Sequence, residues 1–378
     1  PDQENLLDQS TESPFSTESP SIGLLEPLRI QGEDASFAGS MGVPTFALRN
    51  ANVDLFQAEK PQGDTVVARG LEGCLQPHSH GPAFVLDHVL SPSTCQGLIN
   101  LMESGTNGDL HDDSVNVSSF GKFSAGKNNH GAMQVLVSSE VADAVAKTLV
   151  PHIDMTKVHE RMMEQRLSAN DNDEVSSTLT CMGLNRRWRI YKYAPGGQER
   201  FAPHIDAGFP PSGETSGVAE KELVYDDSNG RSIVSRLTVL LYLNDDFVGG
   251  ETNFFAPADG GDGAVDDEEP RMIASVRPVQ GSALIFPQGV GEDAVTYARQ
   301  HWPLHEGSPV LRGNPKYVIR SDVLFLEEPL DLSSTPSHDP LFQYDHLVRD
   351  TFRPHLSSSV IDPLFYDTWR ICTIHKWE

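Results

Sequence analysis

"RFAPHIDAGF", residues 200–209, sets a histidine and an aspartate two positions apart, just after a proline. In an extended segment, side chains at i and i+2 leave the backbone on the same side. His204 and Asp206 can therefore reach one ion together. The same four letters recur in "VPHIDM", residues 150–155, where His152 and Asp154 sit between two helical stretches. Side chains two apart diverge on a helix, so that pair is the weaker candidate. A lone His-x-Asp is a weak signal, and its meaning depends on what surrounds it.

The surroundings are extended. From residue 184 the apolar period changes from 3.6 to 2: "LNRRWRIYKY" (184–193), "RLTVLLYLN" (236–244) and "KYVIRSDVLF" (316–325) all alternate. Short alternating strands with Gly, Pro and Asp between them predict a sandwich or barrel. In these strands Asn185, Arg187, Arg189, Tyr191 and Tyr193 share one face, and Thr238, Leu240, Tyr242 and Asn244 share another. Two polar inserts interrupt the pattern, 210–235 and the Gly- and Asp-rich 256–270. Upstream, "AFVLDHVL" reads as a strand. Ser91 then caps a helix with Pro92 in its first turn and Cys95, Leu98, Ile99 and Met102 as its apolar stripe. A second helix is predicted over 139–149, with Val141, Ala144, Val145 and Leu149 on one face, and a third over 155–167. Residues 1–80 are rich in Ser, Pro, Glu, Gly and Gln and read as a mostly irregular arm with a few strands. The main domain is expected over 81–326. The tail 327–378, with "DPLFQYDHL" and "DPLFYDTWRI", is expected to rest on the core surface.

Composition excludes some partners. The 378 residues include 28 basic and 54 acidic side chains, a net charge of −26. Such a surface repels phosphate backbones and anionic lipid, so neither nucleic acid nor membrane is an expected partner. Four widely spread cysteines (Cys74, Cys95, Cys181, Cys372) form neither a disulfide framework nor a thiolate metal site. No apolar run approaches the roughly 18 residues of a membrane span. A soluble protein is expected, with the cytoplasm favoured.

A third ligand lies downstream at His305, in "LHEGSPVLRGNPKYVIR", with His301 four residues earlier as its rival. Two imidazoles and one carboxylate leave half of an octahedral shell open, the facial triad of non-haem Fe(II) oxygenases. Structural zinc would more often close its shell with four protein ligands, and no cysteine is placed to help. A 2-oxo acid can chelate the open positions through its carboxylate and keto oxygen, and its far carboxylate then needs a cation. Lys316, eleven residues after His305 at the start of an alternating strand, suits that role and favours His305 over His301. Arg320, on the same strand face, is the competing anchor.

At this point the chain resembles the prolyl 4-hydroxylase-like branch of the Fe(II)/2-oxoglutarate-dependent dioxygenases. Five blocks carry the resemblance in order: "GPAFVLDHVLSPSTCQGLINL", "RIYKYAPGGQERFAPHID", "RLTVLLYLNDDFVGGETNFF", "VRPVQGSALIFPQ" and "HEGSPVLRGNPKYVIRSDVLF". They span about 83–325 and leave the arm, the tail and both inserts uncovered. Three departures stand out. Two extra residues separate Tyr193 from His204, one extra residue separates His305 from Lys316, and Phe201 stands where a tyrosine is usual.

The resemblance implies a mainly β fold, a double-stranded β-helix (jelly roll) flanked by helices. It implies His204, Asp206 and His305 as iron ligands, Lys316 as the partner of the far carboxylate of 2-oxoglutarate, and Tyr242, Thr252 and Tyr193 around it. The implied cofactors are Fe(II), 2-oxoglutarate, O2 and ascorbate. The implied reaction is hydroxylation of an unactivated C–H bond, most readily in a prolyl or other residue of a protein or peptide. A free amino acid or small natural product is the alternative substrate. A reading of another class, a catalytically inactive interaction module on the same fold, is opposed by the complete triad.

Overall fold

The computed structural model describes residues 21–30, 43–57, 68–70, 83–104, 124–125, 130–160, 177–216, 220–255, 272–289 and 304–329. The alternating segments form the strands predicted for them: Arg187–Tyr193, Ile233–Tyr242 and Lys316–Pro329. Together with Ala283–Pro287 they are neighbours in one large sheet, in the order Arg187–Tyr193, Lys316–Pro329, Ile233–Tyr242, Ala283–Pro287, all antiparallel. A second sheet runs Phe201–His204, His305–Gly307, Thr252–Phe255, Met272–Val276, again antiparallel. Along the chain the strands cross from one sheet to the other and back, with one hairpin inside the smaller sheet. This is the double-stranded β-helix, and its two inner faces enclose the site.

The period of 2 assigns the faces. Leu237, Val239 and Leu241 point outward with Trp188, Ile190, Ile285 and Ile319 into the main core. Two helices cover that core. Pro92–Glu103 is capped by Ser91, whose hydroxyl accepts from Thr94 N at 3.1 Å. Ser139–Leu149 is capped likewise by Ser138. The start and apolar stripe of the first and the bounds and stripe of the second match the sequence reading, and each Val or Leu so buried contributes roughly 1.5–3 kcal/mol. Residues 155–160 continue helically as predicted, and 161–167 lie outside the described residues. The opposite faces carry Tyr191, Tyr193, Tyr242, Phe254, Phe286 and Val318, a separate apolar cluster that lines the inside of the roll.

The described part of the arm is more regular than its composition implies. Thr45–Arg49 pairs in parallel with Gly131–Leu136, and Leu24–Pro27 adds to its other side. "TFALR" shows no alternation because both of its faces are covered, which hides a strand from period-2 reading. The described part of the first insert is docked as well. Gly213–Glu214 and Glu222–Val224 form a hairpin, and the latter strand pairs in parallel with Arg29–Ile30. Leu223, Tyr225 and Phe209 bury themselves with Leu28, Ala47 and Leu136. Arg49 binds both Glu26 and Glu214, tying arm to insert. The insert 256–270 and the tail beyond 329 lie outside the described residues, as does His301. No helix among the described residues is long and apolar enough to cross a membrane.

Candidate metal centre

His204 ends one strand of the smaller sheet, and His305 begins the strand beside it. The two are direct partners in the ladder. Asp206 follows His204 by two and turns back toward both rings. One donor atom from each of the three residues lies within 4.8 Å of the other two. His204 Nε2 is 3.5 Å from Asp206 Oδ1, and His305 Nε2 is 3.7 Å from Asp206 Oδ2. Adjacent donors in an octahedral shell with bonds of ~2.1 Å lie about 3 Å apart, so the spacing needs only a small contraction around an ion.

Each donor is oriented for a cation. His204 Nδ1 donates to the Ala202 carbonyl at 2.8 Å, which leaves Nε2 as the bare acceptor facing Asp206. Its ring stacks on Phe201 with centroids 3.9 Å apart. The His305 ring is held by Phe286 and Phe254 at 4.6 and 5.8 Å. Asp206 Oδ2 accepts from Thr238 Oγ1 at 2.8 Å and from Arg320 Nε at 3.2 Å. Burial alone would push the Asp206 carboxyl up, but Arg320 and the two imidazoles hold it well below the usual carboxylate range. Gln288 supports Thr238 from behind at 3.2 Å and also binds Asp322 at 2.7 Å. Two imidazoles and one ionised carboxylate, with the tautomer of one ring fixed, fit a divalent metal of the iron type.

The triad opens onto a recess lined by Tyr191, Tyr193, Phe201, Thr252, Lys316 and Arg320 among others. Lys316 is buried on its wall. Its Nζ donates to the Gly250 carbonyl at 2.7 Å and lies 5.1 and 5.6 Å from the ring centres of Tyr193 and Tyr242. Burial pulls its ammonium down to about 7. Gly250 stands at φ +74°, where a Cβ would meet the Phe247 ring at 2.8 Å and Lys316 Cδ at 3.2 Å, so glycine is required for this approach.

The remaining sequence candidates divide. Thr252 and Tyr193 line the recess. Tyr242 stands behind it, its hydroxyl 2.8 Å from Thr252 Oγ1. Arg320 reaches the recess but binds Asp206, the Ala207 carbonyl and Asp322 at 3.2, 3.2 and 3.3 Å. His152 and Asp154 are exposed, and Asp154 caps the next helix through Thr156 N and Lys157 N. Several contributors were not singled out. Tyr191 and Val318 share the phase of Tyr193 and Lys316 and could have been read from it. His130 could not: it comes from a distant strand start to stack on Tyr193 and Phe201 at 5.0 and 5.1 Å.

Residues 188–321 match the 2OG-Fe(II) oxygenase superfamily. No curated protein matches the chain by sequence. Among solved structures, the viral collagen prolyl hydroxylase of Paramecium Bursaria Chlorella virus-1, in its 2OG complex, is similar at 17% identity. That likeness covers 64% of this chain and 94% of that one, with a TM-score of 0.29. A Phytophthora capsici prolyl 4-hydroxylase is similar at 14% identity over 80% and 81% of the two chains, with a TM-score of 0.28. A Trichoplax adhaerens prolyl hydroxylase, solved with a hypoxia inducible factor peptide fragment, is similar at 15% identity over 52% and 63%, with a TM-score of 0.24. The matched stretch 188–321 contains His204, Asp206, His305 and Lys316, so all four lie in a 2OG-Fe(II) oxygenase domain, that of a 2-oxoglutarate-dependent dioxygenase.

Proposed function

We propose that His204, Asp206 and His305 hold Fe(II), that Lys316 pairs with the far carboxylate of 2-oxoglutarate, and that the reaction hydroxylates an unactivated C–H bond in a prolyl or other residue of a protein or peptide. The observation that carries this reading is the convergence of three oriented donors on a recess whose wall holds a buried lysine. Bound there, iron with 2-oxoglutarate and O2 supplies oxidative hydroxylation of the substrate, with release of succinate and CO2. The side chains orient and tune. Ala202 fixes the His204 tautomer, and Thr238 and Arg320 hold one Asp206 oxygen so that the other faces His204. The Tyr193, Tyr242 and Thr252 group surrounds the Lys316 ammonium and excludes water from it. Arg320, bound to two carboxylates, is a positioning residue for Asp206, and Lys316 is the cation for the oxo acid.

The prolyl preference rests on the five sequence blocks. A free amino acid or small natural product is the second reading. The catalytic domain is assigned to 81–326, with the arm 1–80 and tail 327–378 outside it, and ascorbate is assigned as the reductant that rescues uncoupled turnover. Purified protein supplied with Fe(II), ascorbate and 2-oxoglutarate should form succinate and add oxygen, about 16 Da, to proline-containing peptides or free amino acids. His204→Ala should lower succinate formation at least about a hundredfold. Undiminished turnover in that variant would remove the ligand assignment.

A further inference from the structure

The inner face of Arg187–Tyr193 carries more positive charge than its neighbours neutralise. Arg187, Arg189, Tyr191 and Tyr193 alternate along it, and the two tyrosines line the recess. Arg189 is paired in register with Arg320 on one side and with Gln134 on the other. Three guanidinium groups thus lie close together on this face, and of them Arg320 lines the recess.

The acceptors in that patch are already engaged. Asp206 and Asp322 bind Arg320 at 3.2 and 3.3 Å. Gln134 Oε1 takes Arg187 Nε at 2.7 Å, and the Arg187 guanidinium carbon sits 3.5 Å from the centre of the Phe209 ring. Arg187 Nη2 and Arg189 Nε are buried without an acceptor. The contact of the Arg189 guanidinium is the Tyr191 ring, at 5.9 Å. A buried guanidinium N–H without an acceptor is costly. With 54 acidic residues against 28 basic ones, a carboxylate is the partner a strand arginine in this chain would most readily find. Arg189 has none among the described residues.

We propose that Arg189 anchors a carboxylate of the primary substrate. The inference rests on the dioxygenase reading of the recess and names its substrate class: a molecule with a carboxylate close to the C–H bond that is hydroxylated. A planar guanidinium presents paired N–H groups that match the two oxygens of a carboxylate. Arg189 stands at the edge of the recess, beside Tyr191 and in register with Arg320, both of which line it, so substrate and oxo acid would take separate cations, Arg189 and Lys316. The carboxylate has two sources, the α-carboxylate of a free amino acid or an acidic side chain flanking the target residue of a peptide.

Full-length protein, loaded with Fe(II) and 2-oxoglutarate under nitrogen, is titrated calorimetrically with matched acid and amide probes. L-proline against L-prolinamide tests the free acid. Terminally blocked Gly-Pro-Asp-Gly against Gly-Pro-Asn-Gly tests the peptide source. The acid of one pair should bind about tenfold or more tighter than its amide, and that pair identifies the source. Arg189→Met should abolish the preference, and Arg189→Lys should keep part of it, each with 2-oxoglutarate affinity unchanged. Equal affinity within both pairs, no binding of either pair, or an undiminished preference in Arg189→Met overturns the inference while 2-oxoglutarate still binds. Failure of the wild type to bind 2-oxoglutarate instead overturns the reading beneath it. If Arg189→Met does not fold, Arg189→Lys against wild type carries the comparison.

Discussion

Lys316 is an ammonium taken out of water, with the rings of Tyr193 and Tyr242 for neighbours and Glu251 as its weak electrostatic support. With its folded value near 7, the unliganded site loses charge as pH rises through neutrality, and an anion must then bring a proton with it. 2-Oxoglutarate should therefore bind with constant affinity on the acid side and weaken by up to about tenfold per unit above about pH 7. Lys316→Arg, charged throughout, should flatten that slope, and Lys316→Ala should raise the Kd at least about tenfold at pH 7. Calorimetric Kd values from about pH 6 to about pH 9 check all three. The unliganded fold responds in the other sense. Between about 7 and 10.5 the unfolded chain holds the extra proton, so stability rises with pH across that window, and the full burial cost is present below it. At this scale the sequence exposes groups whose partners are local. The i, i+2 spacing of His204 and Asp206 is visible in one line of text. Arg189 is not, because a strand arginine reads as a solvated charge until the engagements of Gln134, Asp206 and Asp322 are known.

Among elements, the first insert behaves as a docked hairpin whose anchors are buried and whose root is Asp206, the proposed metal ligand. Asn185 binds the Pro210 carbonyl and Ser212 N, and Ser235 accepts from Phe209 N, so the chain leaving Asp206 is held at both ends. Leu223 is fully buried in that hairpin. Leu223→Ala should cost about 2–4 kcal/mol in denaturant unfolding and make the insert the first site of limited proteolysis. An unchanged stability would mean that the hairpin is not part of the cooperative fold. Elements with a single buried face, the two capped helices and the three alternating strands, were legible because period and caps are local signals. The strand Thr45–Arg49 was not, since a run covered on both sides has no period to read. The insert looked polar throughout because, among its described residues, Leu223 and Tyr225, in "KELVYDD", carry its apolar contact.

For the whole molecule, the order of strands was legible only through resemblance. Nothing in the local text pairs Phe201 with Gly307 or Tyr193 with Lys316, contacts separated by more than a hundred residues. A site assembled from such distant parts should be linked to global stability. Mn(II) at about a hundredfold over its Kd, with 2-oxoglutarate present, should add roughly 2.7 kcal/mol, or about 5–10 °C in Tm. His305→Ala should abolish that shift while 2-oxoglutarate alone gives none in either protein. Melting curves with and without chelator make the measurement.

The facing of His204 and His305 across one ladder has a consequence for biogenesis. A nascent chain still inside the ribosome past residue 204 owns two donors and no third. On the proposed ligand set, iron capture would wait until the last strand of the smaller sheet has emerged and zipped alongside the first. The metal would then be a late passenger, and a shortened chain ending before residue 305 should emerge from translation folded in part and free of iron.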